Sequence, residues 1–193
     1  MKNFIKTSIN IGAFKITIDS NYVFSHANEF LAITENALNL PNCSIVNYSP
    51  LQLLSPNSVV NYNLDLSSNR LVIETTYGKM YFTVMQDEPD DLAKSLINIY
   101  QNKNYQVQID SSILAIIYDI SKLVKPDVEL LDDKIVCETV DFVTELNLRE
   151  KTGLEIPLNT IIEYEPATLN IYVDDNKTIL VGQFDDFTLY RLI

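Results

Sequence analysis

The feature that most constrains the fold of this 193-residue chain is a hairpin pattern that occurs twice, 64 residues apart. Residues 70–84 read RLVIETTYGKMYFTV and residues 134–148 read KIVCETVDFVTELNL. Aligned without a gap, each copy opens with a basic residue, and Glu74-Thr75 falls at the position of Glu138-Thr139. Each copy then continues into a second alternating run, which is typical of two antiparallel strands. The chain therefore predicts one structural design used more than once.

The remaining segments fit the same design, a short helix followed by strands. FKITIDSN from Phe14 and LNIYVDDN from Leu169 form a second repeated strand-and-turn pattern. Four segments are candidates for short helices: MKNFIKTSIN, SPLQLLSP, SSILAIIYDISKLV and PLNTIIEY. Only these helices can cover the apolar faces of the sheets. We therefore predict an α+β fold of two tandem domains, each with antiparallel sheets and short helices on one side.

The longest candidate helix lies between Asp110 and Asp127 and has a polar start and a Lys-Pro stop. Its helical spacing predicts a buried face made of Ile113, Ile116, Ile117, Ile120, Leu123 and Val124. The opposite, exposed face is predicted to carry Ser111, Ala115, Tyr118, Lys122 and Lys125.

One acidic, proline-containing stretch, QDEPDD, divides the chain near its middle. We therefore expect an N-terminal domain at residues 1–88, a connector at 89–106 and a C-terminal domain at 107–193. No apolar run approaches the roughly 20 residues of a membrane helix, so no membrane partner is expected.

Composition argues against several kinds of site. Four glycines in the chain leave no glycine-rich phosphate loop. A single histidine, His26, and two well-separated cysteines, Cys43 and Cys137, give no catalytic or zinc-binding set. Acidic pairs such as those in LLDDK and FDDF lie at predicted turns, where aspartate bonds backbone N–H groups. We expect no enzyme activity, no metal and no cofactor, and the two cysteines are expected to be buried.

The order of these parts resembles the DNA polymerase sliding clamps, and among them the T-even-type phage clamps. The resemblance is carried by ITIDSNYVFSHANEFLAIT, YNLDLSSNRLVIETTYGKMYFTV, DEPDDLA and ILAIIYDISKLVKPDVELLDDKIVCETVD. It implies a homotrimeric ring that encircles double-stranded DNA without regard to sequence and tethers a polymerase. Peptides of the polymerase and of the clamp loader are the implied protein partners. The implied location is the cytoplasm of an infected bacterial host.

The resemblance also implies two functional surfaces. The helices line the hole of the ring, so the residues expected to face DNA are Lys2, Lys6, Tyr118, Lys122 and Lys125. The fourth helix offers Glu163 and Glu165 instead of basic groups, and four lysines per subunit support loose tracking but not tight binding. The groove expected to hold partner peptides comprises His26, Ala27, Phe30, Leu96, Ile97, Tyr100, Tyr190 and Leu192.

Three alternatives remain open at this stage. The net charge of −12 also fits an acidic protein-interaction module that does not bind DNA. The residues FTLYRLI at the end of the sequence also fit an ordinary core strand rather than a peptide groove. The lysine pair on the third helix also fits a solvated helix end, where cations complement the helix dipole.

Overall fold

A computed structural model of the protein describes residues 1–85, 107–174 and 177–193. These residues divide into two compact units. The first contains the described residues up to 85 together with Asp186–Tyr190, and the second contains those from 107 to Asp185 together with Arg191–Ile193. The expected connector at 89–106 lies outside the described residues, and the expected domain boundaries stay predictions.

The first unit is an antiparallel sheet with a helix and two short 3₁₀ turns. Its elements are α1 (Lys2–Asn10), β1 (Lys15–Ile18), β2 (Tyr22–Ala27), β3 (Phe30–Glu35), β4 (Cys43–Val46), 3₁₀ turns at Ser49–Leu53 and Pro56–Ser58, β5 (Val59–Asp65), β6 (Arg70–Thr75) and β7 (Gly78–Met85). The strand order is β5-β6-β7-β4-β1-β2-β3. The candidate helix SPLQLLSP is the first 3₁₀ turn, which Pro50 opens.

The second unit contains two successive modules of strand, helix and three strands. The first is β8 (Val107–Ile109), α2 (Ser111–Leu123), β9 (Asp127–Leu131), β10 (Lys134–Glu138) and β11 (Val143–Asn147). The next is β12 (Glu155–Pro157), α3 (Asn159–Ile162), β13 (Thr168–Asp174), β14 (Lys177–Gln183) and β15 (Thr188–Leu192), of which Thr188–Tyr190 belong to the first unit. Strand β12 pairs with β9 and strand β8 with β13, so each module lends its leading strand to the other module's sheet.

The repeated hairpin is confirmed as two hairpins of the same register. In β6 and β7, Leu71 pairs with Phe82, and in β10 and β11 the residues 64 positions later, Ile135 and Leu146, pair in the same way. The inward faces agree as well, since Leu71 and Ile135 are both fully buried. Each hairpin supplies the second and third strands of a three-stranded meander that begins at β5 or β9.

Helix α2 forms where the sequence predicts it, but only part of its predicted face is buried: Ile117 is buried, and Ile113 and Ile120 are half-buried. The side chains that are buried belong to Leu114 and Ile117, whereas Ile116 is 47% and Leu123 85% exposed. Val124, 38% exposed, lies after the helix in extended backbone. The helix packs on β13, and a helix resting on one sheet buries a narrow stripe rather than a broad apolar face. The remaining apolar residues of the periodic pattern therefore lie at the margins of that stripe or in solvent.

Candidate functional site

Helices α2 and α3 border an open cavity of about 500 Å³ in the second unit. Three of the five residues predicted to face DNA, Tyr118, Lys122 and Lys125, line this cavity. Tyr118 and Lys122 come from the last two turns of α2, and Lys125 lies two residues after the helix. Pro126 ends this segment because proline cannot continue a helix and disfavours helical backbone in the residue before it.

The hydroxyl of Tyr118 has a structural partner. It donates a 2.6 Å hydrogen bond to the backbone carbonyl of Pro166, in the loop between α3 and β13. Burial, and then the negative charge of Glu165, raise the pKa of Tyr118 above its ordinary value of 10.0. The side chain is therefore neutral at physiological pH, and its hydroxyl joins α2 to the loop that follows α3.

Asn159 is a cavity residue that the sequence analysis missed. Its Oδ1 accepts a 2.6 Å hydrogen bond from the backbone N–H of Val128, and its Nδ2 donates to the carbonyl of Pro126 at 3.2 Å. Nδ2 also lies 3.2 Å from a carboxylate oxygen of Asp127. These bonds fix the first residue of α3 to the start of β9. The signal in the sequence is weak, since Asn159 is one polar residue at the start of a short helix.

The cavity carries charges of both signs. Lys122 and Lys125 provide two cations, while Asp127, Glu163 and Glu165 provide three carboxylates, so the net charge of the lining at neutral pH is −1. Glu163 and Glu165 are exposed and follow α3. The two glutamates thus border the same cavity as the two lysines, while the expectation that they line the hole of a ring stays a prediction.

The other two residues predicted to face DNA lie in the first unit. Lys2 and Lys6 are one helical turn apart on α1, and both are exposed. The inward side of the same helix buries Phe4, Ile5, Thr7 and Ser8. The DNA-facing role of all five residues stays a prediction.

The predicted peptide groove is described in part. His26 and Ala27 end β2, Phe30 begins β3, and all three are half-buried beside the two-residue turn at Asn28 and Glu29. Tyr190 is buried and belongs with the first unit, while Leu192 is half-buried and belongs with the second. Leu96, Ile97 and Tyr100 lie outside the described residues. The groove stays a prediction.

The acidic pairs that the structure describes lie in turns, but their carboxylates bond residues distant in the chain. Asp132, at the β9–β10 turn, accepts a hydrogen bond from the N–H of Gly153 at 2.9 Å, and this bond is the main reason that the pKa of its carboxyl is lowered. Asp186 pairs with the amino group of Met1 at 2.8 Å. The described ranges contain no group of three side chains suited to hold a metal ion.

Both cysteines are buried, as predicted. Burial raises the pKa of the Cys43 thiol to about 11, and it raises that of Cys137 as well. Since the thiolate is the nucleophile, both groups are unreactive at neutral pH. No helix in the described part of the chain is long and apolar enough to span a membrane.

No protein-family model matches this chain, and no curated protein matches it. Solved structures do match. A putative DNA polymerase III beta subunit of Eubacterium rectale is similar over 99% of this chain and 62% of its own, with a TM-score of 0.61 and 14% identity. The beta subunit of Thermotoga maritima matches 100% of this chain and 62% of its own, with a TM-score of 0.58 and 12% identity.

A third similar structure is the beta clamp of Helicobacter pylori bound to a DNA ligase peptide. It covers 99% of this chain and 62% of its own length, with a TM-score of 0.62 and 11% identity. The chain thus spans about three fifths of the length of the proteins that it matches. The predicted fold class, two tandem clamp-type α+β domains with antiparallel sheets and short helices, is confirmed by this likeness. The particular closeness to T-even-type phage clamps is not shown.

Proposed function

We propose that this protein is a sliding clamp, a ring that encircles duplex DNA and tethers the replicative polymerase without catalysing a reaction itself. The observation that carries the proposal is the likeness to beta sliding clamps over 99–100% of this chain. The helix faces supply exposed lysines at positions 2, 6, 122 and 125. Phosphate contacts of this kind depend on salt and not on base sequence.

We propose further that the ring is a homotrimer. The chain supplies two units where the matched proteins are longer, so a ring of comparable size needs more copies of it. Strand β11 is the outermost strand of its sheet. Of β7, only Val84 and Met85 pair with β4. On the edge of β7 that faces away from β6, residues 78–83 have no strand partner among the described residues. Two different open edges allow a head-to-tail contact, which generates a ring when the rotation closes.

Two measurements test this function. The native mass at micromolar concentration should be three times the 22.0 kDa of one chain; a monomer at every concentration contradicts the ring. Protein present while a linear duplex is closed into a nicked circle should stay bound through a moderate-salt wash and leave when the circle is cut once. Retention that does not change on cutting would mean ordinary surface binding instead of topological linkage.

A second candidate function is a protein-interaction module of the same fold that does not bind DNA. It is favoured by the net charge of −12 and by the excess of carboxylates in the cavity between α2 and α3. A trimer that shows no retention on circular DNA at any salt concentration would support this alternative.

A further inference from the structure

We propose that the carboxylates of Glu163 and Glu165 repel DNA phosphates and so weaken the attraction exerted by Lys122 and Lys125. Duplex DNA is then held weakly against this face and stays mobile. This inference rests on the proposed function and adds to it the residues that limit the affinity. The observation behind it is that opposite charges line one cavity without neutralising one another.

The lysines of the cavity form no ion pair with Glu163 or Glu165 among the described residues. The ion pair recorded for Lys122 is with Asp119 of its own helix, at 3.5 Å. Across residues 1–85, 107–174 and 177–193, no ion pair connects Lys125 with Glu163 or Glu165. The two glutamates therefore keep their charge available to act on a third party, such as a phosphate group near the lysines.

Glu165 acts electrostatically on a residue of α2. Its negative charge reaches across the cavity to Tyr118 of α2, where it contributes, after burial, to the raised pKa of the phenol. Lys122, one helical turn beyond Tyr118 on α2, lines the same cavity as Glu165. Any phosphate drawn to Lys122 is therefore also repelled by Glu165.

Electrostatic interactions between the cavity charges and DNA act over several ångströms at physiological salt. The Debye length is about 8 Å at physiological ionic strength, so a carboxylate on the wall of the cavity acts on a phosphate at its mouth. Two lysines by themselves would attract the DNA backbone, but the full lining has a net charge of −1. The carboxylates of the cavity thus reduce the attraction between the lysines and the DNA backbone. A ring that holds DNA by encircling it needs only weak contacts of this kind, and strong ones would slow its movement.

The experiment uses the isosteric double variant Glu163→Gln with Glu165→Gln in the full chain. Its control is Glu129→Gln with Glu155→Gln, which changes the net charge equally. Glu129 and Glu155 are exposed on β9 and β12, beside the buried Leu130 and Ile156. The probe is a linear duplex of about 30 base pairs, whose free ends admit a closed ring, and binding is measured by fluorescence anisotropy as salt is varied.

We expect the cavity variant to bind the duplex at least about threefold more tightly than the parent at 0.1 M salt, with a steeper dependence on salt. The control should bind within about 1.5-fold of the parent, because neither of its residues lines the cavity. Equal tightening in both variants would overturn the inference, since net charge alone would explain it.

The outcomes also separate the inference from the proposed function. If the parent is retained on circular DNA and the cavity variant binds like the parent, only the proposed repulsion by Glu163 and Glu165 is wrong. If neither the parent nor the cavity variant binds the linear duplex at low salt, the inference about this face fails, whereas the proposed function is still decided by retention on circular DNA. A thermal melt of each variant confirms that the fold is unchanged.

Discussion

Tyr118 and Pro166, 48 residues apart in the chain, are joined by a 2.6 Å hydrogen bond from the phenol hydroxyl to the backbone carbonyl. The bond connects the outward side of α2 with the loop after α3. The same tyrosine lines the cavity that contains Lys122 and Lys125. A residue predicted to face DNA thus also determines how the two helices of that face are held.

Replacing Tyr118 by Phe should lower the free energy of unfolding by about 1–2 kcal/mol, because the buried carbonyl of Pro166 loses its donor. The exposed Tyr77, 92% accessible, is the matched control, and Tyr77→Phe should change stability by less than about 0.5 kcal/mol. Urea denaturation measures both. Equal stability of the parent and the Tyr118 variant would show that water replaces the hydroxyl at no cost.

Replacing Asn159 by Ala should cost about 2 kcal/mol of stability, because the N–H of Val128 and the carbonyl of Pro126 both lose their partner. Asn57, exposed in the second 3₁₀ turn, serves as the control. Chemical denaturation of the two variants provides the comparison. A loss no greater than that of Asn57→Ala would mean that Asn159 does not hold α3 to β9.

Asp65 should make stability depend on pH in the acid range. Hydrogen bonds from Ser67, and then from Ser68, lower the pKa of its carboxyl from 3.8 to about 2. Since the folded pKa is the lower one, the stabilisation is present above about pH 4 and is lost as the pH falls through about 2. Asp65→Asn should flatten the change of unfolding free energy between these pH values. The double variant Ser67→Ala, Ser68→Ala should flatten it too, and a slope that neither variant alters would contradict the assignment.

Reversing the charge at Lys122 and Lys125 together should shorten retention on nicked circular DNA at least about tenfold, because both attractive groups of the cavity become repulsive. The native mass should not change. Lys151→Glu with Lys177→Glu is a control of equal charge change at two exposed residues outside this cavity. If both double variants are lost from DNA equally, the cavity is not the surface that contacts DNA.

Replacing Leu192 and Ile193 by serine tests the proposed peptide groove. Few apolar anchors carry most of the affinity in such grooves, so binding of a polymerase C-terminal peptide should weaken at least about tenfold. Fluorescence anisotropy measures the peptide, and native mass measures assembly. Val140→Ser, at a fully exposed turn residue, is the control. Unchanged affinity would place the groove elsewhere, and loss of the oligomer would assign Leu192 and Ile193 to the core.

The sequence by itself determined the features that depend on neighbours in the chain. The register of β6 with β7 and of β10 with β11 follows from alternation and a short turn, so a 64-residue repeat in sequence becomes a 64-residue repeat in pairing. Helix α2 starts after Asp110 and ends before Pro126 for equally local reasons. Local patterns also predicted four helix-and-strand modules, and the fold class followed from these modules.

Only the tertiary structure decided what lies together across long separations. Apolar spacing on α2 predicted burial of Ile117 but not of Leu114; in the structure the helix packs on β13, both are buried, and Ile116 and Leu123 are exposed. The cavity is equally non-local, because Asn159 reaches the backbone of Pro126, 33 residues away, and Glu165 acts on Tyr118. Periodicity specifies which side a residue is on, whereas packing between distant segments specifies what that side meets.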